Sequence, residues 1–241
     1  MTSSLPESSW LLQVFNYKLM DKIIILFTIL SLISSTPDIK ANPAVQRDKQ
    51  PLAVVQYSLE NRYAVESVNE VFKDNILLTL HLLKTNGTVS KPISWSEIDK
   101  AGFESSFTLK PAEVFAFHDD LLPEYKDKEV ITTNAHFISK EGFKSDGYLF
   151  GDGVCHLASF IKVAAEKSGL IVKAPTRHDF AKIPDIDMED GVSIFSRIGA
   201  SGQYALQNLY VTNTKDKSVS FNFYFDGKTL TISVSEISSS V

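Results

Sequence analysis

Val219-Ser220-Phe221-Asn222-Phe223-Tyr224-Phe225-Asp226-Gly227-Lys228-Thr229-Leu230-Thr231-Ile232-Ser233-Val234 reads as two strands joined by a tight turn. Val219, Phe221, Phe223 and Phe225 recur at every second position, which places them on one face of an extended chain. Leu230, Ile232 and Val234 return with the same period, and Asp226-Gly227 supplies the turn between the two runs. Three phenylalanines on one face would leave a large apolar patch if exposed, so the hairpin is expected to be an integral part of a sheet with one buried face.

Outward from the hairpin, Leu206 to Val211 is a further strand candidate. Near the start of the foldable part, Pro51 to Tyr57 suits a strand. It is followed by Arg62 to Leu83, where Val65, Val68, Phe72, Ile76, Leu80 and Leu83 recur at helical spacing and Asn86-Gly87 marks the end. Residues 93 to 137 read as strands and loops, clearest at Glu113 to Phe117 and Glu129 to Ile131. The fold class that follows is α+β, an antiparallel sheet with a long N-terminal helix and a central cysteine-bearing helix, in one domain over residues 50 to 236.

The central helix is introduced by Gly151-Asp152-Gly153-Val154-Cys155-His156-Leu157-Ala158-Ser159, which carries the only cysteine in the chain. It is expected from Cys155 to Ser168, with Gly169 as its stop. Val154, Leu157, Ala158, Ile161, Ala164 and Ala165 form its apolar stripe, while Cys155, Ser159, Lys162 and Glu166 follow one another on another face. A thiol at a helix start faces unpaired N–H groups and the positive end of the dipole, which favours thiolate. The competing reading is a packed cysteine acting as a small apolar filler.

This stretch resembles the signature of the VanW family, named for an accessory component found beside vancomycin-resistance genes. In that family a Gly-Gly-Gly-Val-Cys-Gln-Val-Ser-Thr type motif leads into a helix, a His-rich turn, a Tyr-Val-Pro type strand and an Asp-Ala-Thr-like end. The matching positions are Gly151 to Ser159, His178, Ile183-Pro184 and Asp190-Gly191-Val192. Leu109 to Phe117 is similar to the family's Lys-Pro-Gly-Glu-x-Phe-Ser-Phe segment, and Asn208 to Asn213 to its Leu-x-Phe-x-Asn strand, so the resemblance spans about residues 52 to 236. Departures fall at Ala112 and Asp152 for glycines, His156 for glutamine, and Ala158 and Phe160 for hydroxyl residues. The resemblance implies a cell-envelope protein with a link to glycopeptide resistance, and no defined reaction.

Cys155 at a helix start, His178 before an extended stretch, and acids at 185, 187, 189 and 190 follow the order used by papain-like and transglutaminase-like cysteine enzymes. The catalytic candidates are therefore Cys155, His178 and Asp190, with Gly151, Asp152, Gly153, His156 and Ser159 as substrate-binding candidates. The N–H groups around Gly153 and Cys155 would form an oxyanion site. His136 invites comparison with the L,D-transpeptidases, but Asp152-Gly153-Val154-Cys155 has no glycine directly before the cysteine. No metal site is expected: one cysteine and scattered histidines give no ligand pairs, and Asp185 to Gly191 lacks the spacing of a calcium loop. No cofactor is called for either.

With 241 residues, 44% apolar content and a net charge of −5, the chain can bury a full core and has no basic patch for nucleic acid. Residues 23 to 33 form an apolar run with lysines at 18 and 22 before it and a polar linker after it, so residues 1 to 44 read as a signal peptide or anchor and linker. Met20 offers an alternative start. Membrane contact is expected only through this segment. Two classes of function stay open: a cysteine-dependent enzyme acting on wall peptide or amide bonds, and a non-catalytic envelope module binding peptidoglycan or a partner protein.

Overall fold

The structure is a computed structural model that describes residues 50–88, 90–147, 151–199 and 202–237. The expected leader over 1 to 44 lies outside the described residues. Among the described residues, no helix is long and apolar enough to cross a membrane.

The fold is α+β, with helices over two four-stranded sheets. In order, the elements are β1 (Ala53–Ser58), α1 (Glu66–Lys84), the short α2 (Trp95–Ile98), β2 (Phe103–Leu109), β3 (Val114–Ala116), β4 (Val130–Thr132), α3 (Val154–Lys167), β5 (Ile171–Lys173), β6 (Tyr210–Thr212), β7 (Val219–Phe225) and β8 (Thr229–Glu236). The first sheet is wholly antiparallel in the order β1-β8-β7-β2. Within it Phe221 faces Val234, Phe223 faces Ile232 and Phe225 faces Leu230, and all six are buried. The turn closes through the Asp226 N–H to the Thr229 carbonyl at 3.2 Å. β2 extends the aromatic face, stacking Phe107 on Phe221 at 4.7 Å and on Phe115 at 4.5 Å.

Both long helices pack on this sheet and on each other. α1 begins four residues later than its apolar spacing predicts. Asn69 explains the delay: its Oδ1 accepts the N–H groups of Arg62 at 2.6 Å and Tyr63 at 3.1 Å, and its Nδ2 donates to the Leu59 carbonyl. Those bonds hold the lead-in in turns, and Arg62 is drawn under the core to the Pro184 carbonyl and Asp185. In α3, Phe160 stacks on Tyr57 of β1 at 3.9 Å, with the Arg62 guanidinium 5.2 Å from its ring.

The second sheet runs β4-β3-β6-β5, with β3 and β4 parallel and the other pairs antiparallel. β3 is buried on both faces, Phe115 in the main core and Val114 and Ala116 in a smaller cluster with Tyr125 and Tyr210. The strand expected over Leu206 to Val211 is confined to Tyr210–Thr212. Residues before it are held by side chains instead, Asn208 Nδ2 donating to the carbonyls of His118 and Asp120.

Candidate functional site

The start of α3 is fixed from behind by α1. Asn75, fully buried, donates from Nδ2 to the carbonyls of Lys144 at 3.0 Å and Asp152 at 2.9 Å, and its Oδ1 accepts the Lys144 N–H. The turn between these points needs glycine for two reasons. Gly153, the N-cap of α3, has φ +98°, and a Cβ there would lie 2.5 Å from the Phe72 carbonyl oxygen. Gly151 has φ +89°, and its Cβ would meet that of Phe137 at 2.9 Å.

In front of this turn is a cleft of about 460 Å³. Its wall includes Gly151, Asp152, Gly153, Cys155, His156 and His178, so the fold brings these sequence-predicted positions together. Its apolar part comes from Phe72, Phe137, Ile138, Phe180 and Phe195.

Cys155 is held by main chain. Its sulfur accepts the Ile194 N–H at 3.4 Å and its thiol points to the Ile194 carbonyl at 3.7 Å. The residue is only partly accessible, and burial pushes the thiol up to about 11, helped by the charge of Asp152. The helix dipole predicts the opposite direction, and desolvation outweighs it. Burial thus opposes the thiolate expected at this helix start.

His178 comes beside this segment because its N–H donates to the Gly191 carbonyl at 3.0 Å. Its Nδ1 pairs with the Ala181 carbonyl at 2.9 Å, and burial lowers its pKa. Asp190 does not orient it. That carboxylate forms an ion pair with Lys162 on the outer side of α3 and lines a separate depression beside β1. Ser159 is also absent from the cleft wall: its hydroxyl donates to the Cys155 carbonyl at 2.7 Å and accepts the Val192 N–H at 2.9 Å, bracing α3 against residues 192 to 194. The expected roles of Asp190 and Ser159 are corrected on these contacts.

His156 shares the wall with the thiol. It is 5% exposed and packs edge-on against Phe72 at 5.0 Å, 6.5 Å from the His178 ring. Burial, with the nearby charge of Arg62, pushes it down to about 3, so the ring is neutral. Its Nδ1 has no hydrogen-bond partner, and neither does the buried Oγ of Ser196 on the same wall. Asp152 Oδ2 accepts the Asp146 N–H at 3.1 Å, and burial raises its pKa. His136 lies between Glu141 at 2.6 Å and Asp119 at 3.5 Å; burial opposes its charge, but the two acids prevail and its pKa is raised.

Away from the cleft, Glu70, Asp74 and Asp99 approach one another closely enough to hold a metal ion. Lys73 already bridges Glu70 at 2.7 Å and Asp99 at 3.0 Å, and Lys144 pairs with Asp74.

Sequence reasoning missed Asn75, Ile194, Phe180 and Phe195. Asn75 left one signal, a polar residue within an apolar helical run. The chain matches no known family, no curated protein and no solved structure.

Proposed function

We propose that this is an exported envelope protein of the VanW-like kind whose cleft binds a ligand, with Cys155 packed against the Ile194 main chain in its wall. One observation carries the binding reading: the Cys155 sulfur is engaged on both sides by the Ile194 main chain, under a thiol pKa of about 11. A cysteine nucleophile acts as thiolate, and such a thiol is ionised to roughly one part in ten thousand at pH 7. The mainly aromatic lining suits an acyl, aryl or apolar peptide group better than the hydroxyl-rich sugars of peptidoglycan. Support for the envelope part comes from the Lys-flanked apolar run at 23 to 33 and the motif at Gly151 to Ser159.

The test uses the neutral dye N-phenyl-1-naphthylamine, which brightens on entering an apolar site. The protein should bind it, Cys155→Ala should retain the affinity within about twofold, and Ala181→Trp, which adds bulk to the wall, should abolish it. Hydrolytic or transfer activity that disappears in a folded Cys155→Ala variant would restore the enzyme reading. Fractionation tests location separately, and an intact full-length chain found in the cytoplasm overturns the envelope part.

A further inference from the structure

Several polar groups on the cleft wall are without partners among the described residues. His156, 5% exposed, has an unpartnered Nδ1, and the buried Ser196 Oγ is unpartnered as well. A buried polar group is costly if nothing satisfies it, so two on the cleft wall point to a ligand with a polar head. Lys182 and Arg197, exposed on the same wall, form no ion pair among the described residues. The first turn of α3 opens here too, with no capping side chain and no acidic residue within the turn itself.

Other groups on the wall are already engaged. Asp152 is its one carboxylate among the described residues, and it takes the Asp146 N–H. His136 is held between Glu141 and Asp119, and Cys155 by Ile194. This donor-rich wall encloses an aromatic interior in a protein whose net charge is −5, so the local positive balance runs against that of the whole chain. The volume of about 460 Å³ falls inside the range of small-molecule sites, about 300–1,000 Å³.

We propose that the cleft binds a small amphiphilic monocarboxylate, its acyl or aryl body lying among Phe72, Phe137, Phe180 and Phe195 and its carboxylate facing Lys182, Arg197, His156 and Ser196. The assignment rests on the binding reading above and adds the ligand's charge and chemical class. The two cations supply the charge complement, and His156 and Ser196 lend polar groups beside it.

Displacement of the neutral dye from the full-length protein at pH 8 tests it, with dodecanoate, 4-phenylbutyrate and neutral dodecanol as competitors. At least one carboxylate should displace the dye at a concentration about five- to tenfold below that needed for dodecanol, the gain expected of exposed ion pairs. The Lys182→Ala/Arg197→Ala variant should lose that preference. Stronger displacement by dodecanoate assigns an acyl body, and by 4-phenylbutyrate an aryl one. Equal displacement by dodecanol, or a preference that survives in the double variant, overturns the anionic head while dye binding leaves the cleft reading intact. If the dye binds and neither carboxylate displaces it, the proposal fails; if the dye itself does not bind, the underlying reading fails first and takes the proposal with it.

Discussion

Cys155 and Ile194 are joined twice, the Ile194 N–H to the sulfur at 3.4 Å and the thiol to the Ile194 carbonyl at 3.7 Å. The pair ties the first turn of α3 to the segment from Ile194 to Arg197 that lines the cleft beside it. An ordinary thiol ionises near pH 8.5; with burial raising this one to about 11, alkylation at pH 8.5 should run about two orders of magnitude slower than for free cysteine. His178→Ala should leave the profile unchanged. A rate that climbs well below pH 8.5 and shifts upward in His178→Ala would re-establish the dyad.

His156 makes stability depend on pH in a definite direction. Its folded pKa is depressed to about 3, so the unfolded chain takes up a proton below about 6.5 that the folded chain refuses. Stability from this group is therefore present above pH 6.5 and lost as pH falls toward 3, by about 2 kcal/mol between pH 7 and pH 5. His136, with a raised pKa, acts in the opposite sense. Comparing urea unfolding of the parent with His156→Phe isolates the term: the variant's stability should decline less over this interval, and parallel declines would show that His156 is not held neutral.

Gly153→Ala should destabilise by about 3 kcal/mol or more. A left-handed φ of +98° and a main-chain clash with Phe72 act together at this point, and neither α1 nor α3 can retreat without disturbing the sheet. Gly102→Ala, also at positive φ but with open space around it, should lose only about 1 kcal/mol. Urea midpoints of the two variants give the comparison, and equal losses would mean that the close approach of the helices is not what Gly153 serves.

Phe223→Asp should abolish soluble expression. The ring is 1% exposed and pairs across the sheet with Ile232, so the carboxylate would be buried without a partner. Tyr224→Asp, on the other face at 45% exposure, should remain soluble. Normal folding of the Phe223 variant would reverse the assignment of the two faces.

Periodicity was enough for the elements whose neighbours are all of one kind. The β7–β8 hairpin, the span of α3 and the Asn86-Gly87 end of α1 are set by local pattern and turn chemistry, and each appears where the spacing predicts. Of the second sheet, strands were legible at Glu113 to Phe117, Glu129 to Ile131 and Leu206 to Val211, but β5 and the pairing were not, because strands such as β3 and β6 are three residues long and pair across about a hundred residues. The same holds at the cleft. Its glycine turn is a local signal, whereas Ile194 acts through main chain and Asn75 through contacts about 70 to 77 residues distant. Between the two readings of the thiol the sequence could not choose, because a helix start is visible in sequence and desolvation is not.

Pairing of β1 with β8 sets Ala53 opposite Val234, so the first strand of the domain is closed by the last. Such a pairing is made against the loop-closure entropy of nearly the whole domain, and the floor on which α1 and α3 pack is complete only once Thr229–Glu236 is in place. The topology makes closure of the first sheet a late step of folding, one that no fragment lacking β8 can take.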